Sequence, residues 1–280
     1  MTDYLERTID FNHPDIASVV DELSFWSSRF GHMLFDLLEI RRDLNILDVG
    51  CANGFPLFEL AHVFGSSCQL TGIDIWREAL ERARFKLQIH GLANVRILEA
   101  DAAQQPFGDA EFDLIVSNLG INNWENPQAV LAECFRVARP DAQIILTTNV
   151  VGHYQEFYEA FAETLREMDK AELIEKLDAQ AAHRGTRATL SSLLAEAGWK
   201  LTRVVENSFE MRFADGAALL HHSLIRFGFL GGWRGVVAGE DEREAFRRIE
   251  SKLNAIAHQQ GELRMTVPML YLEAKKIGEA

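Results

Sequence analysis

Short runs of large apolar residues alternate along this chain with stretches whose apolar residues recur every three to four positions. The runs predict buried strands, and the periodic stretches predict helices with one covered face. Ile46, Leu47 and Val49 open the series, and 69–75, 94–102, 112–118 and 143–149 continue it as four further strands. Between them, Leu57, Leu60, Ala61 and Phe64, then Ala79, Leu80, Ala83 and Leu87, then Val130, Leu131, Cys134 and Val137 keep helical spacing. Pro56 is expected in a first helical turn, where its missing N–H costs little. Asn126-Pro127 marks another helix start, and Arg139-Pro140-Asp141 is expected to end that helix. Phe112–Asn118 is apolar on both faces, as a parallel strand requires. Four strand–helix alternations predict an α/β doubly wound, mostly parallel sheet. Right-handed crossovers gather its strand ends at one edge, where ligands bind.

The flanks follow a different rhythm. Ile16, Val19, Val20 and Leu23 keep helical spacing, and a denser apolar stretch from Phe25 to Ile40 follows. Those N-terminal helices are read either as packed on the sheet or as a lid, and the two are compatible. Phe157, Phe161, Leu165 and Met168 define one amphipathic helix and Leu173, Ile174, Leu177 and Ala181 another. Leu190, Leu193, Leu194 and Ala197 form a sheet-covering helix stopped by Gly198. Residues 201–213 alternate with period two, and 262–276 reads as a last strand in which Pro268 marks an edge or a bulge. The total is seven strands. With no repeat and no low-complexity linker, residues 1–280 read as one domain: an N-terminal helical cap at 1–44, a core at 45–150, and helical cap insertions at 152–183 and 214–261.

The first strand leads into a glycine turn, Gly50-Cys51-Ala52-Asn53-Gly54, and then a helix. Gly50 and Gly54 let the backbone approach a ligand without Cβ interference, and the helix N-terminus presents free N–H groups to it. Asp74 ends the second strand 20 residues beyond Gly54. That is where dinucleotide-type folds bind a ribose diol. A nicotinamide dinucleotide nevertheless fits poorly. Its G-x-G-x-x-G fingerprint is absent, and a buried carboxylate at Asp48 would face a pyrophosphate.

Composition narrows the class. The chain carries 28 Lys and Arg against 42 Asp and Glu, a net charge of −14, with no dense basic cluster. That field repels phosphate backbones, so no nucleic-acid partner is expected. No apolar run approaches the roughly 20 residues of a membrane span, so no stable membrane insertion is expected. The start lacks a leader's basic and apolar regions. Cys51, Cys68 and Cys134 suit reduced thiols, and the expected location is cytoplasmic.

Four motifs in order now carry a family resemblance. Leu47-Asp48-Val49-Gly50-Cys51-Ala52-Asn53-Gly54, Gly72-Ile73-Asp74, Glu99-Ala100-Asp101-Ala102, and Phe112–Asn118 followed by Arg136–Pro140 resemble the motifs of class I S-adenosylmethionine-dependent methyltransferases. The chain is similar in particular to small-molecule enzymes of ubiquinone/menaquinone-biosynthesis type. The match is close over 45–149 and topological beyond. Ala52 departs from it, standing at the loop's middle glycine. The resemblance implies S-adenosylmethionine as cofactor and S-adenosylhomocysteine as product. It implies a cofactor site of Asp48, Gly50, Cys51, Gly54, Asp74, Ile75, Asp101, Ala102, Asn118 and Leu119. Within it, Asp74 would hold the ribose, Ile75 the adenine face, Asp101 and the Ala102 N–H the adenine edge, and Asn118 and Leu119 the methionyl end. Asp74 as a helix cap and Asp101 as a turn residue are the structural alternatives.

Methyl transfer from a sulfonium needs alignment and exclusion of water, and an acceptor with a bound proton also needs a base. His153 and Tyr154, after the fifth strand, are the catalytic candidates. Trp26, Asn122, Asn123, Tyr158, His222 and Arg226 are candidates for holding a small, apolar or aromatic acceptor. The N-terminal helices and both insertions are expected to form its pocket. The apolar insertion 217–233 reads as core, lid or dimer face, so a homodimer stays open. His221-His222 lacks partners at ligand spacing, and no metal is expected. The alternative functions are a non-catalytic cofactor-binding module and, less well supported, aminopropyl transfer, for which no paired-aspartate motif follows the fourth strand.

Overall fold

A computed structural model describes residues 3–6, 10, 13, 15, 18 and 24–277. The periodic stretch at Ile16, Val19, Val20 and Leu23 lies outside the described residues. In chain order the elements are α1 (Ser24–Leu37), β1 (Asn45–Val49), α2 (Leu57–Phe64), β2 (Gln69–Asp74), α3 (Arg77–His90), β3 (Val95–Glu99), β4 (Phe112–Asn118), α4 (Pro127–Val137) and β5 (Ala138–Asn149). Then come α5 (Gln155–Glu167), α6 (Ile174–Ala181), α7 (Arg187–Glu196), β6 (Lys200–Phe213), α8 (Gly216–His221), α9 (Ser223–Gly228), α10 (Leu230–Val236), α11 (Glu242–Gln260) and β7 (Leu263–Lys275). The seven strands are ordered β3-β2-β1-β4-β5-β7-β6, and β3, β2, β1, β4 and β5 are mutually parallel. The doubly wound, mostly parallel sheet expected from the periodicity is present.

The chain divides into two compact units. One comprises Asn12–Thr148, Thr186–Glu206 and Met269–Ala280. Its core is the continuous apolar content of the central strands: Ile46, Leu47, Leu114, Ile115, Val116, Ile144 and Leu146 are all buried. Helices cover both faces, so these strands need no polar face. Two motif residues are structural staples here. Arg136 donates to the Phe107 carbonyl (2.9 Å), the Gln105 carbonyl (3.2 Å), Asp109 (2.8 Å) and Glu133 (2.8 Å), fixing the loop after β3. Asp113 accepts from the Asn45 N–H at 2.8 Å and from Arg139 at 2.7 Å, joining the starts of β1, β4 and β5.

The other unit comprises Met1–Phe11, Asn149–Gly185 and Asn207–Pro268. Its interior is aromatic. Phe157 stacks on Trp233 with centroids 3.8 Å apart, and Phe161 meets Phe246 at 5.9 Å. Leu219, Leu220, Ile225, Phe229, Leu230 and Trp233 are buried, so the apolar insertion serves as core in this unit.

Three sequence expectations shift. Arg139-Pro140-Asp141 does not lie between elements. It belongs to β5, which begins at Ala138 and pairs with β4 through a register shift between Phe112 and Leu114. Left-handed Asp141, with φ 65°, accommodates the irregularity. Pro56 precedes α2 as its N-cap rather than sitting in the first turn. Pro268 is not on an edge strand, because β7 lies between β5 and β6. The edge belongs to β6, which explains its period-two pattern: one face is solvated, and cross-strand Arg264–Glu210 pairing at 2.9 Å lies there.

Ile115, fully buried at the centre of β4, tests the core. Truncation to alanine leaves a cavity between two close-packed layers, and Ile115→Ala is expected to cost about 2–5 kcal/mol in denaturant unfolding. An unchanged midpoint would contradict burial on both sheet faces.

Candidate active site

Local backbone chemistry builds the loop after β1. The Gly50 and Cys51 N–H groups both donate to the Ile73 carbonyl, at 2.9 and 3.0 Å. This turns the chain over the end of β2. Gly50 has φ 85° and Gly54 φ 105°. A Cβ on Gly54 would lie 2.0 Å from the Phe58 ring, so no side chain fits there. Ala52 also sits in the left-handed region, at φ 40°. The loop therefore keeps a glycine-like shape at a strain cost of roughly 1–2 kcal/mol. The Ala52 N–H is held by Asp74 Oδ2 at 2.9 Å.

Asp74 accepts from a second amide, the Trp76 N–H, through Oδ1 at 2.8 Å. It thus performs the helix-entry role weighed as its alternative. Each carboxylate oxygen has a further lone pair, so the group is oriented but not saturated. Beside it Ile75 is 72% exposed, unusual for a large apolar residue. Asp101 is exposed and accepts the Ala103 N–H at 2.8 Å, a turn role that occupies one oxygen. Ala102 is half-buried. Cys51 is buried, and burial pushes its thiol up, so it is inert as a nucleophile.

Asp48 is the anomaly of this site. It is fully buried, and neither carboxylate oxygen has a hydrogen-bond partner. Burial first and the neighbouring Asp74 second push its carboxyl up to about 8, with the Leu57 N–H at the start of α2 opposing. A buried, unbonded carboxyl costs free energy unless something polar or cationic meets it. Such a buried acid beneath a loop that begins and ends in glycine fits a cofactor carrying an ammonium and a sulfonium.

At the end of β4, Ser117 Oγ donates to the Val49 carbonyl at 2.6 Å, and a Cβ on Gly50 would meet Gly120 Cα at 3.4 Å. The β1 and β4 loops therefore touch by backbone. The Asn118 side chain is committed internally, accepting from Thr147 Oγ1 at 2.7 Å and donating to the Ser27 carbonyl at 3.3 Å. The Leu119 N–H is bonded to the Thr147 carbonyl at 2.8 Å, and its own carbonyl accepts from the Asn122 N–H at 3.2 Å. Asn122 accepts from Thr148 Oγ1 at 2.6 Å, and the Asn123 N–H donates to the Gly120 carbonyl at 2.9 Å. Trp26 is buried 5.3 Å from the Phe30 ring, a packing position.

The second unit holds the remaining candidates. His153 is 3% exposed, and its Nδ1 has no hydrogen-bond partner. Burial, then the charge of Arg184, lowers it to about 4, so the ring is neutral near pH 7. Tyr154 is buried, its hydroxyl lies 3.2 Å from Met211 Sδ, and burial raises its pKa well above the tyrosine range. That environment holds the proton on Tyr154 and makes it a wall rather than a base. The Tyr158 hydroxyl accepts from Trp233 Nε1 at 3.1 Å. His222 caps α9, its Nδ1 accepting from the Leu224 N–H at 3.2 Å. Arg226 Nε is buried without a partner. Sequence reasoning missed Arg184, half-buried and close enough to His153 to lower its pKa, because nothing in the Ala182-His183-Arg184-Gly185 stretch distinguishes it from a solvated loop.

A glycine loop over paired acids at the carboxyl edge of a 3-2-1-4-5-7-6 sheet defines the Rossmann-like, S-adenosylmethionine-binding class. Residues 40–198 match the family model described as Methyltransferase domain. The chain belongs to that family and is a class I S-adenosylmethionine-dependent methyltransferase. It is similar to the demethylmenaquinone methyltransferase of Lactococcus lactis subsp. lactis, 29% identical over 150 residues, 52% of this chain and 60% of that one. The Listeria monocytogenes serotype 4b protein of the same name is 26% identical over 202 residues, covering 69% and 81%. The chain thus spans less than two thirds of the first relative and about four fifths of the second. Among solved structures, a SAM dependent methyltransferase from Aquifex aeolicus shares the fold, with a TM-score of 0.53 and 23% identity over 71% of this chain and 93% of that one.

Asp48 gives a pH test on the cofactor-free protein. A carboxyl raised in the folded state contributes stability that is complete below its unfolded value near 4 and is lost as pH rises through about 8. Asp48→Asn is therefore expected to melt above wild type at pH 8, with the gap closing toward pH 4. Parallel melting curves across that window would show that Asp48 is not held protonated.

Proposed function

We propose that this chain moves the methyl group of S-adenosylmethionine to a small, apolar, quinone-like ring acceptor and releases S-adenosylhomocysteine. The observation that carries the cofactor half is Asp48, fully buried beside Asp74 beneath the glycine loop, with its carboxyl pushed up to about 8 by that burial. The relatives' printed name, demethylmenaquinone methyltransferase, supports the acceptor half. Asp74, pre-oriented by two amides, accepts the ribose hydroxyls with its remaining lone pairs. Ile75 covers the adenine face, and Asp101 with the Ala102 N–H meets the adenine edge. Gly50 and Gly54 admit the methionyl part against the backbone, and Asp48 offsets its positive charge. The bound cofactor supplies a methyl on an already activated leaving group, so the protein's tasks are alignment and exclusion of water. His153 takes the acceptor's proton.

Among the described residues no helix is long and apolar enough to cross a membrane. We place the protein in the cytoplasm, on its three buried free cysteines, and acting on a metabolite rather than nucleic acid, on its net charge of −14. A homodimer would have to use a face other than the 217–233 insertion, whose large side chains are core.

Calorimetric titration tests the reading. S-adenosylhomocysteine is expected to bind wild type, and NAD to give no heat. Asp74→Asn, which keeps shape and one acceptor oxygen, is expected to weaken binding about 10- to 100-fold through loss of charge-assisted hydrogen bonds. A folded wild type that binds no S-adenosylhomocysteine would overturn the proposal.

A further inference from the structure

The glycine loop is held in two halves, and the second is held by a residue that no motif marks. The first half is fixed from β2, through the Ile73 carbonyl and the Asp74 carboxylate. The second half, Asn53 and Gly54, is held from α3. Lys86 Nζ donates to the Asn53 carbonyl at 3.1 Å, across 33 residues of chain. The other end of the same peptide unit, the Gly54 N–H, donates to the Cys51 carbonyl at 2.8 Å. A peptide unit is planar, so these two bonds together fix its rotation. Asn53 is buried, where a carbonyl left without a donor costs free energy. Rings pin the chain just beyond. Phe58 fills the place of a Gly54 Cβ, and the Phe55 ring packs on Gly31 of α1, where a Cβ would lie 2.3 Å from it. Lys86 itself is half-buried, although lysine on a helix is ordinarily solvated. The positions three and four residues from it are Arg82, Ala83, Ile89 and His90, so no acid on α3 is spaced to pair with it. The ammonium reaches the loop, where it makes a charge-assisted bond, stronger than one between neutral groups.

The geometry points to Lys86 as a positioning residue for the cofactor: its ammonium fixes the Asn53–Gly54 peptide, and with it the backbone against which the methionyl part lies. This rests on the proposed function and deepens it, because in that reading Gly50 and Gly54 admit the methionyl part while Asp74 and Asp101 hold the ribose and the adenine. Lys86 acts through the loop and not on the ligand. Without its bond, the peptide is free to rotate about its flanking single bonds, and the surface offered to the methionyl part changes. Asp74 keeps its place, since the Ala52 and Trp76 amides hold it independently of α3's later turns. The assignment therefore separates the two ends of one ligand: Lys86 governs the amino-acid end and leaves the nucleoside end alone. Binding depends on such pre-set geometry, because a loop ordered in advance does not have to be ordered by the ligand.

The test uses the full chain and two ligands. S-adenosylhomocysteine is titrated by calorimetry. 5′-Methylthioadenosine, which keeps the adenine, ribose and thioether but lacks the amino-acid part, is measured by its displacement of S-adenosylhomocysteine. Lys86→Met keeps the stem and removes the donor. It is expected to weaken S-adenosylhomocysteine at least about tenfold, the loss of one hydrogen bond to a charged group, and to leave 5′-methylthioadenosine unchanged. Lys86→Arg, which still donates from a charged group, is expected to regain most of the loss. Unchanged S-adenosylhomocysteine affinity in folded Lys86→Met would overturn the assignment. An equal loss for both ligands would overturn it too, since Lys86 would then support the whole edge and not the methionyl end. So would a Lys86→Arg protein that binds no better than Lys86→Met. Lys86→Gln takes the place of a Lys86→Met protein that does not fold, under the same criteria. Wild type separates the two readings: cofactor binding that Lys86 does not affect sinks the positioning role alone, and a folded wild type that binds no S-adenosylhomocysteine sinks the methyltransferase proposal.

Discussion

One carboxylate holds the cofactor-type edge together. Asp74 accepts the Ala52 amide on one oxygen and the Trp76 amide on the other, so a single side chain fixes the loop after β1 and the start of α3. Both amides belong to segments that would otherwise leave N–H groups unsatisfied, one in a strained turn and one at a helix entry. The same clamp sets the orientation of whatever lone pairs remain. Structural and binding roles for Asp74 are therefore not rivals. The backbone bonds are what make the carboxylate rigid enough to recognise a diol.

Backbone strain recurs after three of the strands. Ala52 after β1, Leu119 after β4 and Tyr154 after β5 all have positive φ without being glycine. Each is held there by surrounding structure: the Asp74 clamp on Ala52, the Thr147 carbonyl on Leu119, and the Thr266 carbonyl on the Tyr154 N–H at 2.7 Å. Backbone strain of this kind persists where neighbouring contacts over-determine it, and it clusters at functional strand ends. Only Gly50 and Gly54 announced such geometry in the sequence. The alanine at position 52 shows why a motif departure need not change a loop: the clamp imposes the left-handed conformation that glycine would adopt freely.

The sheet was legible because its signal is redundant. Buried parallel strands such as Leu114-Ile115-Val116 need apolar residues on both faces, and no other element in a chain of this length uses them so regularly. The acids at strand tips were legible through spacing from the glycine turn. Boundaries set by tertiary pairing were not. The start of β5 at Ala138 depends on pairing with Phe112 across a bulge, and the interior place of β7 depends on strand order, which Pro268 alone does not encode. Side-chain commitments were equally hidden. Asn118 is spent on Thr147 and Ser27, and Arg184 lies over the ring of Phe229, far along the chain, which local sequence does not announce.

The two units solve opposite electrostatic problems. One buries an acid, Asp48, beside a second acid, Asp74. The other buries His153, whose pKa the charge of Arg184 helps to lower. The acidic pair disfavours its own charge until a cation arrives. Under the proposed function that cation is the sulfonium cofactor, and the thioether product no longer offers its sulfur charge to the acids. Binding that depends on charge in this way favours the methyl donor over the spent cofactor. The buried acid that weakens the fold at Asp48 is then the same group that selects a positively charged ligand.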